Sequence, residues 1–168
     1  VFSVSLEPRP PGPHGSDQVT FLFSPNPGEE PRPLGRVASG GELSRVYLAL
    51  QLGAGLDQSG VGMPTLIFDE IDAGLGGAEG FALGQKLRRL ASSGQVLAVT
   101  HLPQVAAQGD VHFRVSKRVE GERTFAKVAR LSPEERIEET ARMLSGAKVT
   151  ESSLSHAREL LASSRASG

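Results

Sequence analysis

Three short runs of this chain hold residue types suited to chemistry. Asp69 and Glu70 are adjacent carboxylates that close an apolar run, Thr65-Leu66-Ile67-Phe68. Magnesium carried on a nucleotide takes hard oxygen ligands and keeps several waters, so an aspartate at a strand end can hold it directly or through water. The adjacent glutamate points elsewhere and can orient or deprotonate an attacking water. The plainer alternative is a pair of solvated acids capping a strand; the Ile71-Asp72-Ala73-Gly74 that follows favours the chemical reading. Ser39-Gly40-Gly41-Glu42 has the S-x-x-E form of a capping box. Capping explains Ser39 and Glu42 but not two glycines in a first helical turn, each costing up to about 1 kcal/mol against alanine. Glycines there let free amides at a helix N-terminus approach a phosphate. Thr100-His101 closes a second apolar run, Val96-Leu97-Ala98-Val99. A lone histidine at a strand end is usually structural, but one beside Glu70 can sense or polarise a terminal phosphate. His14, His112 and His156 lack such neighbours and read as surface or packing residues. No histidine–carboxylate spacing supports a zinc site.

Together the three runs make most of a nucleotide-hydrolysing site. The G-x-x-x-x-G-K-[ST] loop that normally cradles phosphates occurs nowhere in the 168 residues. The chain therefore reads as one part of a split ATPase. Its first residue is Val1 rather than Met, which suggests a piece processed or excised from something longer.

The elements that must position these residues follow from periodicity. Val1 to Leu6 and Gln18 to Phe23 read as strands joined by a Pro- and Gly-rich loop over Glu7 to Ser16. Ser24 to Val37 holds four prolines and reads as extended and irregular. A helix is expected over Gly40 to Leu52, with an apolar stripe of Leu43, Val46, Tyr47 and Leu50. A loop over Gly53 to Met63 follows. Strands are expected over Pro64 to Asp69 and Gln95 to Thr100, joined by a helix over Ala78 to Ala91. Leu102 to Gln108 reads as a short helix. Val111 to Ser116 and Thr124 to Leu131 read as strands around Glu120-Gly121. Ser132 to Leu144 reads as a helix with Ser132 as cap, Pro133 in the first position and Glu135 completing the box. Thr150 to Ala162 is a last helix. Residues 64–108 thus form a βαβ unit whose strands lack polar alternation, as parallel strands covered on both faces do. Parallel strands put their carboxyl ends on one edge, where ligands of open α/β sheets bind. Asp69, Glu70 and His101 fall on that edge.

Composition is consistent with one folded domain: 38% hydrophobic, 22% charged and only 5% aromatic residues, so Leu, Val, Ala and Ile must fill the core. A net charge of −1 gives no global argument for nucleic acid. The absence of cysteine excludes disulfides and thiolate metal sites and fits a reducing cytoplasm. No apolar run approaches the roughly 20 residues of a membrane span. Arg114, Lys117, Arg118, Arg123, Lys127 and Arg130 form a basic stretch against Glu120 and Glu122. On a hairpin, part of this set could meet phosphates; we read it first as a solvated edge that uses charge against aggregation.

At these residues a family resemblance becomes specific. Ser39-Gly40-Gly41-Glu42 resembles the ABC-ATPase signature, Leu66-Ile67-Phe68-Asp69-Glu70 its Walker B strand with catalytic glutamate, Ile71-Asp72-Ala73-Gly74 its D-loop, and Thr100-His101 its switch histidine. The longer runs 37–45, 68–74 and 100–106, with Ser24-Pro25-Asn26-Pro27-Gly28-Glu29 ahead of them, resemble the RecN family of bacterial, SMC-like DNA repair proteins. The resemblance covers roughly residues 18–145 and implies an α/β fold: part of a P-loop NTPase head with a parallel sheet flanked by helices, plus an edge β-hairpin. Residues 1–168 would be a single C-terminal lobe of that head, without the Walker A lobe and coiled coil. By the same resemblance Glu70 activates water and His101 contacts the terminal phosphate of ATP. Asp69 orders Mg2+ through water, and Ser39, Gly40, Gly41 and Glu42 meet nucleotide held by the opposite head. Asp72 lies at the dimer interface. The implied partners are the protein's own N-terminal Walker A segment, a second head, and DNA in the full-length protein, with no membrane. The implied setting is cytoplasmic and nucleoid-associated, in double-strand break repair and recombination. The D-loop departs from the transporter pattern S-A-L-D. A different ABC-class ATPase, either SMC-like or a transporter subunit, and a non-catalytic interaction segment are the rival readings.

Overall fold

The computed structural model describes residues 1–26, 28–37, 39–53, 64–121, 123–146 and 148–166. Pro27, Ala38 and Glu122 lie outside the described residues, as does the expected loop from residue 54 through Met63. The element order is β1 (Phe2–Gly12), β2 (Gly15–Phe23), β3 (Arg32–Pro33), α1 (Leu34–Val37), α2 (Gly40–Gly53), β4 (Leu66–Phe68), α3 (Gly77–Ala91), β5 (Val96–Ala98), α4 (Pro103–Ala106), β6 (Phe113–Glu120), β7 (Arg123–Arg130), α5 (Pro133–Ser145) and α6 (Glu151–Ala166). The described strands form three sheets: antiparallel β1-β2-β3, parallel β4-β5 and antiparallel β6-β7.

The first hairpin corrects the expected loop over Glu7 to Ser16. Strand β1 continues to Gly12, pairing Glu7 with Gln18, Pro8 with Asp17 and Gly12 with Gly15. Prolines block a ladder only where their missing N–H is needed, and β1 is an edge strand. A register irregularity between Pro8 and Gly12 takes up the rest. The irregular stretch before α2 likewise contains a short strand, β3, and one helical turn, α1.

The core lies between β4, α2, α3 and α4. Leu48, Leu66, Phe68, Ile71, Leu83, Leu87, Leu90 and Val105 form it, with Leu52, Leu75, Val96 and Leu102 packed against its border. In α3 the apolar side includes Gly80 and Gly84. A Cβ on Gly80 would stand 2.7 Å from Leu102 Cδ1, and one on Gly84 2.7 Å from Gln108 Cγ. Small residues at this i, i+4 spacing let the chain around α4 sit directly on α3.

Two expectations about coverage do not hold among the described residues. Parallel pairing of β4 and β5 is as expected, with Leu66 opposite Val96 and Phe68 opposite Ala98. Only one face is packed, however: Phe68 is 1% exposed while Ile67 is 68% exposed, and Leu97 and Val99 are also exposed. Helices cover a single side, so β4 alternates between core and surface, while β5 is half-buried at Val96 and exposed at Leu97 and Ala98. In α2 the expected stripe is not the buried side. Leu43, Tyr47 and Leu50 are exposed, whereas Gly41 and Leu48 are buried. The helix packs through Gly41, Arg45 and Leu48, whose spacing of four and three residues also lines up one face.

Helix α5 begins as expected. Ser132 Oγ accepts from Glu135 N at 3.2 Å, and Glu135 Oε2 accepts from Ser132 N at 2.8 Å, with Pro133 in the first position. From this helix the buried Arg136 donates to the carbonyls of Ala106, Ala107 and Gly109, tying α5 to the end of α4. No helix of the described residues is long and apolar enough to cross a membrane.

Candidate functional site

Strands β4 and β5 run side by side and end on one rim, where Val99 N donates to Phe68 O at 2.9 Å. Asp69 and Glu70 follow one strand; Thr100 and His101 follow the other. The chain turns sharply after β4 because Glu70 takes a left-handed backbone conformation, φ 53°. That region is unusual for a residue with a Cβ and typically costs of order 1–2 kcal/mol. Strain of this kind clusters at functional sites. The turn closes with Ala73 N donating to Glu70 O at 3.0 Å, while Asp69 Oδ1 accepts from Glu70 N at 2.9 Å. Both carboxylates stay exposed on the rim.

Asp72 is the anchor of the rim. Although 2% exposed, its Oδ2 accepts from Thr100 Oγ1 at 2.5 Å, from His101 N at 2.9 Å and from Leu102 N at 3.2 Å, and lies 3.1 Å from His101 Nδ1. Burial works to raise the Asp72 pKa. The Thr100 hydroxyl, the His101 amide, the His101 ring and the Leu102 amide outweigh it and hold the carboxyl below the usual aspartate range. The imidazole of His101 remains 68% exposed, held by its Nδ1 side against Asp72.

Helix α2 starts against the same turn. A Cβ on Gly41 would lie 2.6 Å from Glu70 O and 3.0 Å from Ala73 Cβ; one on Gly40 would lie 3.1 Å from Glu70 Oε2. Glycine at 41 is therefore required by the turn of the same chain, a reason additional to ligand approach. Ser39 and Glu42 form the expected capping box: Ser39 N donates to Glu42 Oε2 at 2.7 Å and Glu42 N to Ser39 Oγ at 3.3 Å. The Ser39 amide and hydroxyl hold the Glu42 carboxyl below its usual range.

Two contributors carry no role in the sequence reading although both stand inside the 37–45 run. Arg45 Nη1 donates to the carbonyls of Ile71 and Ala73, each at 3.0 Å, and Ser44 Oγ donates to Asp69 O at 3.0 Å. Arg45 lies one helical turn beyond Gly41, which is the signal that could have placed it on this face.

Ser39 to Glu42, Asp69 and Glu70 thus share one corner of the rim. His101 was expected beside Glu70. Among the described residues it has no hydrogen bond or ion pair to Glu70, and it pairs instead with Asp72. Asp72, expected at a contact between two heads, has its carboxylate occupied within the chain. The donors on the rim are hard oxygens, and no cluster of three or more metal-ligating side chains exists among the described residues. Hard oxygens of this kind suit Mg2+.

No protein-family model matches the chain. Curated relatives do. Over 152 residues, 90% of this chain and 26% of the relative, it is 52% identical to the DNA repair protein RecN of Deinococcus radiodurans. It is 48% identical to the RecN of Xylella fastidiosa over 94% of this chain and 28% of the relative. It is 48% identical to that of Streptomyces coelicolor over 92% and 27%. The chain is homologous to these proteins and spans about a quarter of their length. A solved structure from work on ATP-driven dimerization and DNA-stimulated activation of SMC ATPases matches with TM-score 0.50 at 21% identity, covering 86% of this chain and 84% of that one. The likeness supports the fold alone, a mixed α/β arrangement with a parallel strand pair and antiparallel hairpins.

Proposed function

We propose that this chain, as the homologue of a RecN segment, is the C-terminal lobe of an SMC-like ATPase head that hydrolyses ATP when two heads meet, in the service of DNA double-strand break repair. The observation that carries the reading is the single rim. The N-terminus of α2, the Asp69-Glu70 pair and the Thr100-His101 pair are all fastened to the 69–73 turn.

In this reading Glu70 accepts a proton from the attacking water, and its exposed carboxylate on a rigid turn suits that task. His101 presents its exposed imidazole edge to the terminal phosphate, oriented from behind by Asp72. Asp69 would hold Mg2+ through water; the ion would supply charge neutralisation at the phosphates. Ser39 to Glu42 offer a capped helix N-terminus to nucleotide held by the opposite head. The Walker A lobe comes from another part of the whole protein, and the exposed apolar residues Ile67, Leu97, Leu43 and Leu50 are surface for it to cover. The expected setting is the bacterial cytoplasm, at the nucleoid.

The test is reconstitution. The chain alone should show negligible ATP turnover. Mixing it with the Walker A segment of the same protein should give turnover, and Glu70→Gln should abolish it while nucleotide-dependent dimers persist. Full turnover by the chain alone overturns the reading.

A further inference from the structure

The β6–β7 hairpin puts four of its six basic residues on one face. The register pairs Arg114 with Ala129, Ser116 with Lys127, Arg118 with Phe125 and Glu120 with Arg123. Cross-strand partners share a face, so Arg114, Lys127, Arg118 and Arg123 lie on one side, with Glu120 at the level of Arg123. The other side pairs Phe113 with Arg130, Val115 with Val128, Lys117 with Ala126 and Val119 with Thr124, so it sets two cations, Lys117 and Arg130, among apolar residues.

The four cations form a zigzag. Level by level along the hairpin they come from β6, β7, β6 and β7, one every two residues. Two residues of strand rise about 6.8 Å, so the row is about 20 Å long. A nucleic-acid strand rises about 3.4 Å per phosphate, so each step of the row spans about two nucleotides. Arg114, at the base, is 3.8 Å from Glu139 of α5, which also holds Arg142. The outer row of Lys127, Arg118 and Arg123 is exposed, with Phe125 between the two β7 cations. A chain of net charge −1 gains nothing globally for polyanion binding, so the local row is what counts.

We infer that the Arg114–Lys127–Arg118–Arg123 face of this hairpin binds the phosphate backbone of DNA. The inference deepens the proposed repair role by naming the surface that meets DNA, and rests on that reading. The probe is a short fluorescein-labelled duplex, titrated with the full chain between about 50 and 200 mM salt. Wild type should bind with strong salt dependence. Arg123→Glu with Lys127→Glu should weaken binding at least ~10-fold and lower the salt slope by about 1.8, at about 0.9 for each phosphate no longer neutralised. Lys117→Glu with Arg130→Glu makes the same charge change on the other face and should cost far less. Arg123→Gln with Lys127→Gln guards against a hairpin disturbed by charge reversal; it should weaken binding in the same direction at an unchanged melting temperature. Equal losses from the two faces, or no duplex binding by wild type, overturns the inference. Neither result touches ATP turnover by the reconstituted head, so the failure of one reading is separable from failure of the other.

Discussion

Asp72 reaches across 29 residues of sequence to hold His101 twice, by its backbone amide at 2.9 Å and its Nδ1 at 3.1 Å. A carboxylate buried to 2% exposure and accepting from two further groups, Thr100 Oγ1 and Leu102 N, cannot be removed cheaply. Asp72→Ala should destabilise the chain by about 2–4 kcal/mol, because Thr100 Oγ1 and two amides lose their acceptor. Asp72→Asn should cost less. The sign of the pH effect follows from the lowered pKa. The unfolded chain takes up the proton first, so the Asp72 contribution is complete above the ordinary value of about 3.9 and fades as pH falls through the folded one. Melting temperatures of wild type and Asp72→Asn should therefore converge on acidification; a gap that stays constant down to strong acid refutes the account.

Gly41 and Gly40 should behave differently. A methyl group at 41 meets the Glu70 carbonyl and Ala73 Cβ, which the turn holds in place, whereas at 40 it meets only the far end of the exposed Glu70 side chain. Gly41→Ala should cost about 1–3 kcal/mol and shift α2. Gly40→Ala should leave thermal stability nearly unchanged while lowering turnover of the reconstituted head. Equal melting temperatures for the two variants would contradict the packing described for α2.

Glu70 carries strain that its replacement should relieve. Asparagine accepts left-handed backbone more readily than glutamate. Glu70→Asn should match or exceed wild type in melting temperature by a few degrees, at about 2–4 °C per kcal/mol for a chain of this size, and abolish hydrolysis. Loss of stability together with activity would mean that Glu70 serves the fold.

His112 should make the chain acid-sensitive near neutrality. Burial, then the Arg136 charge, push its pKa down, against a smaller opposing pull from Glu139. Its Nδ1 is buried without a hydrogen-bond partner. Because the folded pKa lies below the unfolded value of about 6.5, the neutral ring's contribution is present above that pH and is lost as pH falls below it. His112→Phe should flatten the fall in melting temperature between about pH 6.5 and 5.5, read by calorimetry.

What the sequence disclosed was local. The Ser132 and Ser39 capping boxes are four-residue patterns, and the β4-α3-β5 unit is a matter of period and length, so each was legible. The rim followed from parallel strands, and with it the placing of Asp69, Glu70 and His101. The partner of His101 was not, because nothing at Asp72 announces an acceptor for a group 29 residues away. The extent of β1 was hidden by prolines, whose effect depends on whether the strand lies at an edge. The buried side of α2 was hidden for another reason. Periodicity tells which residues are apolar, and Leu43, Tyr47 and Leu50 are apolar without being covered. Arg45 passed unnoticed because its acceptors are carbonyls, which no sequence displays.

The three sheets are small and separate, and only β4-β5 lies in the main core. Cooperative units of a fold open independently when little buried surface binds them together. In heavy water the amides of the two hairpins should therefore take up deuterium well before those of α3. The chain would come apart from its periphery inward, and the 69–73 turn would be among the last places to loosen.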